Sequence, residues 1–354
     1  MKALILNLGG TSTKVAICDE NQMILKESIR HPSEEIEGFK KIWAQYEYRK
    51  ERILGFLNKN NLSIHDIELF ISRGPSVKPL ESGVYEVNES MVTDAKSGEY
   101  GQHVCNLGCA IALSFAKENG RKALIADPPC VDEMIPIARY TGLPEITRHS
   151  YFQALSHKAF GRFIAANLGK TYEESNIVIT HLGSGISCGT HKKGKVIDIT
   201  NGLDGDAPFG MDRSGTLPAA DWKKLIQSQK YSEEELDYML NGGGGLMAHL
   251  GTNNGEEIEK RILSEDKKAQ EVFEAMAFQV SKAVGAAAGA MGEQPDAIGI
   301  TGGLAHSARF VDFIKKQVWW MAPIYVKPDI DELDALSSVC IPAYLGEIDI
   351  KEYT

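Results

Sequence analysis

The chain says nearly the same thing twice, and that repetition constrains its fold more than any other feature. Residues 4–13 read LILNLGGTST and residues 178–187 read VITHLGSGIS, so Asn7 and His181 each precede a Leu-Gly step in the same frame. Each copy is an apolar strand, a polar residue, a glycine turn rich in Ser and Thr, and a second strand (residues 14–18 and 187–190). Such a hairpin leaves turn amides free to point at an anion. One such turn alone is ordinary, because glycine marks turns everywhere. Two, with hydroxyl residues in the same frame, point to two related domains facing one polyphosphate. Their separation far exceeds the ~20 to 50 residue period of repeat arrays, which excludes a solenoid.

Length agrees with duplication, since 354 residues make about two domains of ~150. A formal charge of −10, with no polybasic run, disfavours nucleic acid and anionic membranes as partners. Anion binding must then be built locally, from amides and a few placed cations. The six cysteines are scattered without a CxxC pair and read as reduced, mostly buried small hydrophobes. The apolar start is too short for a signal peptide, and no window approaches ~18 apolar residues. A soluble cytoplasmic protein is expected.

Along the first half, residues 3–8, 15–18 and 23–28 alternate as an antiparallel meander buried on one face, with Asp19, Glu20 and Asn21 as its second turn. A helix over 36–58, a strand at 67–72, a helix near 104–117 and a strand at 123–126 follow. The second half replays the meander at 177–181, 186–190 and 196–200. Helices at 219–227, 233–240, 256–263 and 267–291 come next, then a strand at 297–301 and a helix from about 307. The class is α/β with mixed sheets, and the junction is expected near 142–149. GTHKKGK (189–195) mimics a P-loop, but Val196 stands where a metal-binding Ser or Thr belongs, and the context is strand-turn-strand. A third glycine element, ITGGLAHS (300–307), does lie between strand and helix, where backbone and helix N-terminus can meet phosphate.

These elements resemble the superfamily of acetate and sugar kinases, chaperones and actin, and within it the acetokinase family over essentially the whole chain. The words that carry the resemblance are NLGGTSTK (7–14), SRGP (72–75), SHK (156–158), HLGSGIS (181–187), GMDRSG (210–215) and TGGLAHS (301–307). It implies two duplicated actin-like, ribonuclease H-like domains, residues 1–147 and 148–332, with a nucleotide cleft between them and residues 333–354 packing back on the first. The implied reaction moves the γ-phosphoryl of ATP onto a short-chain carboxylate, with Mg²⁺ as cofactor.

A carboxylate of pKa ~4 to 5 is already ionised at neutral pH and needs no general base. It does need neutralisation, because an anion must approach a polyanion. By the resemblance, Arg73 and Arg213 hold the carboxylate and the transferring phosphoryl. Asp127 sits in the Mg²⁺ shell or orients substrate, His181 donates to the phosphoryl in flight, and His157 orients its neighbours. Asn7, Gly10, Thr11, Thr13 and Lys14 are implied phosphate and metal-water contacts, joined by Gly183, Ser184 and Gly185. Gly302, Gly303 and His306 lie by the nucleoside and α-phosphate. Acetate kinases carry an acidic residue at the position of His306 and a histidine at that of Gln153, which leaves the metal on Asn7, Asp127 and water. These departures are typical of the butyrate branch, and Gly101 falls where acetate kinases place a bulky aliphatic wall. Removing that wall makes room for two methylenes, about 0.8 kcal/mol each. Homodimers or higher homo-oligomers are implied as well.

Butanoate is thus the expected acceptor, with isobutyrate or other branched acids and acetate as alternatives. A sugar kinase using Asp127 as base, or an actin-like or chaperone-like ATPase without a carboxylate acceptor, are the readings from other classes.

Overall fold

The structure is a computed structural model that describes every residue except Asn21 and Asp204; the tip of the expected second turn, Asn21, lies outside the described residues. Twelve strands are present among the described residues: β1 Lys2–Leu8, β2 Ser12–Asp19, β3 Gln22–Arg30, β4 Leu69–Arg73, β5 Val84–Glu86, β6 Lys122–Ala126, β7 Asn176–Leu182, β8 Ile186–Lys192, β9 Lys195–Ile199, β10 Ala297–Thr301, β11 Ile324–Lys327 and β12 Ile350–Lys351. They form a seven-stranded sheet ordered β12-β5-β6-β4-β1-β2-β3 and a five-stranded sheet ordered β11-β10-β7-β8-β9. Five strands of the first sheet repeat the connectivity of the second. In each, a three-strand antiparallel meander places its first strand beside a parallel strand, which pairs with another strand beyond it. The duplication read from the hairpins therefore extends to the topology of both sheets.

The chain divides into two compact units, Met1–Val131 with Asp331–Thr354, and Asp132–Ile330. In the first, β1 is buried on both faces, with Leu4, Leu6 and Leu8 in one core beside Ile53 and Phe56 of the helix Tyr46–Lys59 and Leu107, Ile111 and Phe115 of the helix Cys105–Glu118. The C-terminal helix Glu332–Tyr344 packs on β1, β4 and β6. Only the edge strand β3 alternates between half-buried and exposed residues, so the one-face burial expected for the whole meander holds there alone. The helix expected over 36–58 is broken: a short helix Ser33–Glu37 ends at Gly38, and the long helix starts at Tyr46.

In the second unit the helix Lys267–Met291 buries Phe273, Met276, Val280, Val284 and Met291 against β7, β8 and the helix Ala308–Val318. Asp266 caps its start by accepting from the Ala269 amide, and left-handed Gly292 ends it. The helix Ala154–Asn167, which carries the SHK word, was not expected from periodicity; Gly299 of β10 lets its Phe160 and Ile164 come close, since a Cβ there would stand 2.7 Å from Ile164.

The boundary falls before the expected 142–149. Residues 132–150 are tied into the second unit by the Ile135 amide on the Ile197 carbonyl, by Glu133 on buried Lys158, and by Arg148 on Asp198 and Asp206.

Candidate functional site

In the first unit β1, β4 and β6 run parallel, with Leu6 opposite Ser72 and Arg73 opposite Ala126. Asn7, Arg73 and Asp127 consequently stand at the carboxyl ends of three neighbouring strands, the edge where open α/β sheets bind ligands. The C-terminal helix adds a residue that motif reading missed. Glu332 opens it, just after the cap Asp331, which accepts from the Leu333 and Asp334 amides. The Glu332 carboxylate accepts from the Asn7 carboxamide and lies 3.5 Å from the Arg73 guanidinium. The signal in the sequence was a D-E-L cap before an apolar run, which speaks of a helix start and not of a site. Asp127 is buried with φ of +41°, a left-handed backbone uncommon for a residue with a side chain. Its Oδ1 accepts from the Ser82 hydroxyl at 2.6 Å and the Gly83 amide at 3.0 Å.

The two glycine hairpins differ in register. In the first, Asn7 pairs with Lys14 and Leu8 with Thr13; in the second, His181 pairs with Ser187 and Leu182 with Ile186. Directly paired residues share a face, and one residue of slip exchanges faces. Ser187 therefore shares the face of His181, whereas Thr13 turns away from that of Asn7. Thr13 is fully buried, its hydroxyl held by His31 Nε2 at 2.8 Å and Arg49 Nη1 at 3.0 Å, which removes it from the expected phosphate contacts. Gly10, Thr11 and Lys14 are exposed.

In the second unit the loop carrying Arg213 is laid on the turn of the second hairpin. The Met211 amide donates to the Ser184 carbonyl, the Ser184 hydroxyl donates to Asp212, and Arg213 Cγ would stand 3.6 Å from a Cβ on Gly185. Gly210 permits this, because a Cβ there would meet the Ser184 carbonyl oxygen at 2.3 Å. Arg213 donates to Asn241 Oδ1 at 2.6 Å and lies 3.3 Å from Asp212. His181, one residue before the end of β7, lies opposite Thr301 of the parallel β10. Gly302 follows with φ of +93°, and a Cβ there would strike the Leu182 backbone at 2.6 Å. A pocket of about 850 Å³ opens beside this turn and gathers Gly183, Ser184, Gly303 and His306 with the unanticipated Asp212 and Asn254. His306 is exposed and 2.7 Å from Asp329.

His157 is wholly buried. Its Nε2 meets Ser187 Oγ at 2.9 Å and its Nδ1 meets His191 Nε2 at 3.1 Å, and His191 Nδ1 meets Tyr172 Oη at 2.6 Å. Burial, aided at His191 by the Lys158 charge, holds both histidines well below the ordinary histidine range, so both are neutral. His157 thus supports the strand pair on the face that His181 and Ser187 share, with the His157 and His181 rings stacked 6.3 Å apart.

The model of the acetokinase family matches residues 138–331. Over 352 residues, 99% of each chain, the sequence is 42% identical to butyrate kinase 2 of Clostridium acetobutylicum. This chain belongs to the acetokinase family. Its fold is that of the solved acetokinase structures: acetate kinase of Porphyromonas gingivalis (TM-score 0.78, 17% identity, 96% of this chain and 99% of that one) and a propionate kinase from Francisella tularensis (TM-score 0.75, 18% identity, 96% and 99%).

As an acetokinase the chain differs from its sequence reading in one further respect. An acidic side chain that the motifs did not name, Glu332, stands in the first unit beside Asn7. The glycine at 101 has φ of +111°, so the backbone there requires glycine whatever acyl chain it faces. All six cysteines are buried and unbridged, and among the described residues no helix is long and apolar enough to cross a membrane.

Proposed function

We propose that the protein transfers the γ-phosphoryl of ATP to a short-chain fatty acid, butanoate by preference, giving butanoyl phosphate and ADP. The observation that carries this reading is the 42% identity, spanning 99% of both chains, with a protein named butyrate kinase. The chemistry of the cluster at the carboxyl ends of β1, β4 and β6 supports it. Arg73 is a fixed cation at the strand end, 3.5 Å from the Glu332 carboxylate, and suits an acceptor already ionised at neutral pH.

The roles follow from charge. Arg73 neutralises the incoming carboxylate, and Arg213, anchored through Asn241 and Asp212, supports negative charge on the phosphoryl in flight. His181 donates to the same oxygens. The turns Gly9 to Thr11 and Gly183 to Gly185 present amides to the phosphates, with Lys14 as a flanking cation. Gly303 and His306 border the 850 Å³ pocket as the nucleoside seat, with Gly302 one residue earlier packed on the Leu182 backbone. Asp127 holds the Ser82–Gly83 turn and through it the shape of the acyl side.

Mg²⁺ fits the oxygen donors present. The Glu332 carboxylate, toward which Asn7 turns its carboxamide nitrogen, offers hard oxygens of the kind that Mg²⁺ completes with water and substrate phosphates, neutralising charge on the nucleotide. We place Glu332 there in preference to Asp127, whose Oδ1 is spent on Ser82 and Gly83. A cytoplasmic homo-oligomer is part of the same proposal.

Trapping acyl phosphate with hydroxylamine, across acetate, propionate, butyrate, isobutyrate and valerate, tests the acceptor. Butyrate should give the highest rate, and ATP turnover independent of any acid would sink the reading. Direct in-line transfer should invert a chirally labelled γ-phosphate; retention would rule it out.

A further inference from the structure

Arg49 is a basic residue in the inward face of the helix Tyr46–Lys59, where it continues the spacing of Ile53, Phe56 and Leu57. It is fully buried, among the largest side chains in the protein with no exposure. Buried charges are ordinarily paired with an opposite charge. None of the described carboxylates pairs with Arg49. Its donors go instead to neutral oxygens: Nε to Gln45 Oε1 at 2.9 Å, Nη1 to Thr13 Oγ1 at 3.0 Å and the Ser12 carbonyl at 3.4 Å, and Nη2 to the Gly10 carbonyl at 3.0 Å. The nearby His31, whose imidazole is pushed down to about 4 by burial and by the Arg49 charge, stays neutral. Arg49 itself, lowered to about 10 by burial, remains charged.

Three of these four contacts fall on the first glycine hairpin. The carbonyls of Gly10 and Ser12 are drawn toward Arg49, and the Thr11 carbonyl accepts from the His31 amide at 2.9 Å. In a trans peptide the C=O and the following N–H point in opposite directions. Drawing the Gly10 carbonyl inward therefore aims the Thr11 N–H away from Arg49, toward the exposed side on which Gly10 and Thr11 lie. The same guanidinium places a positive charge, unpaired with any carboxylate among the described residues, directly beneath that turn.

We propose that Arg49 is a positioning residue for nucleotide phosphates: it sets the amides of the first hairpin and supplies the charge that a bound polyphosphate completes. The inference rests on the reading of that hairpin as a phosphate site. A buried cation with no counter-ion among the described residues is explained if its counter-ion is the ligand.

The test is calorimetric titration of the whole protein with ATP, ADP and AMP, in Mg²⁺ buffer, for the unmodified chain, Arg49→Met and Arg49→Lys. Arg49→Met should weaken ATP by at least about tenfold, the equivalent of one charged hydrogen bond, ADP by less, and leave AMP within about twofold. Arg49→Lys, which keeps the charge and loses the fork, should recover part of the ATP affinity. Should Arg49→Met fail to fold, the graded ATP-over-AMP loss must be seen in Arg49→Lys. A folded variant that binds ATP as the unmodified chain does, or that loses ATP and AMP equally, overturns the role of Arg49. Failure of the unmodified chain to bind ATP would overturn the nucleotide reading itself.

Discussion

The carboxylate of Glu332 accepts a hydrogen bond from the carboxamide of Asn7, although 325 positions separate them in the chain. The contact exists because the C-terminal helix returns to pack on β1 and β4 and delivers its first residue to the edge where those strands end. A carboxylate fixed at that edge suits a cation that keeps most of its water. Glu332→Gln keeps the size and the contact with Asn7 and removes the charge. It should raise the Mg²⁺ concentration for half-maximal turnover at least about tenfold, measured by Mg²⁺ titration at saturating ATP. An unchanged Mg²⁺ dependence would exclude Glu332 from the metal shell.

Arg73 and Arg213 are the two cations expected to be needed in the transition state more than in nucleotide binding. Arg73→Ala and Arg213→Ala should each lower turnover at least ~10²-fold while ATP affinity changes little. Steady-state rates with butyrate, read beside ATP calorimetry, separate the two effects. Full turnover in either variant would remove that arginine from the site.

Much of this arrangement was legible because local chemistry announces itself. The Gly-rich hairpins, the strand-end positions of Arg73 and Asp127, and the strand entering Gly302 all depend on short stretches of chain. The pieces that were not legible depend on register or on distant packing. Thr13 and Ser187 occupy the same frame in the two copies, yet pairing of Leu8 with Thr13 turns one inward while pairing of His181 with Ser187 keeps the other on the site face. Arg49 reads as one more solvated helix residue until its spacing with Ile53 and Phe56 is weighed. Glu332 looks like a helix cap because its partner lies at the opposite end of the sequence. The helix Ala154–Asn167 escaped notice because nearly one whole face and more of it is buried, which blurs the amphipathic period.

The buried histidines make stability depend on pH. His157 and His191 are neutral in the native state chiefly because burial penalises their charge, and His31 is lowered to about 4 for the same reason. The unfolded chain takes up protons near the ordinary pKa of ~6.5. The native state takes them up only at lower pH, so their contribution is complete above that value and is lost as pH falls below it. Each histidine should cost ~1.4 kcal/mol per pH unit in that window. Urea unfolding at pH 7.5, 6.5 and 5.5 should therefore show a small loss in the first step and a much larger one in the second. His191→Gln should lessen the slope by the share of one histidine. An unchanged slope would mean that His191 does not titrate on unfolding.

Adjacent glycines offer a sharper separation between fold and site. Gly302 holds φ of +93°, and a Cβ on it would lie 2.6 Å from both the amide nitrogen and the carbonyl oxygen of Leu182, the last residue of β7. Neither atom can yield, because Leu182 is paired with Ile186 and anchors the second hairpin. Gly303, one position later, is exposed, and a Cβ there would meet nothing within 4 Å. Gly302→Ala should therefore cost roughly 1 to 3 kcal/mol of stability and displace the turn beside the 850 Å³ pocket proposed for the nucleoside, so that ATP affinity falls with it. Gly303→Ala should melt like the unmodified protein, because a methyl there enters open space. Any loss of nucleotide affinity in that variant then reports contact with the ligand. Thermal unfolding beside ATP calorimetry reads both, and equal melting temperatures for the two variants would show that the approach of Gly302 to Leu182 does not constrain the loop.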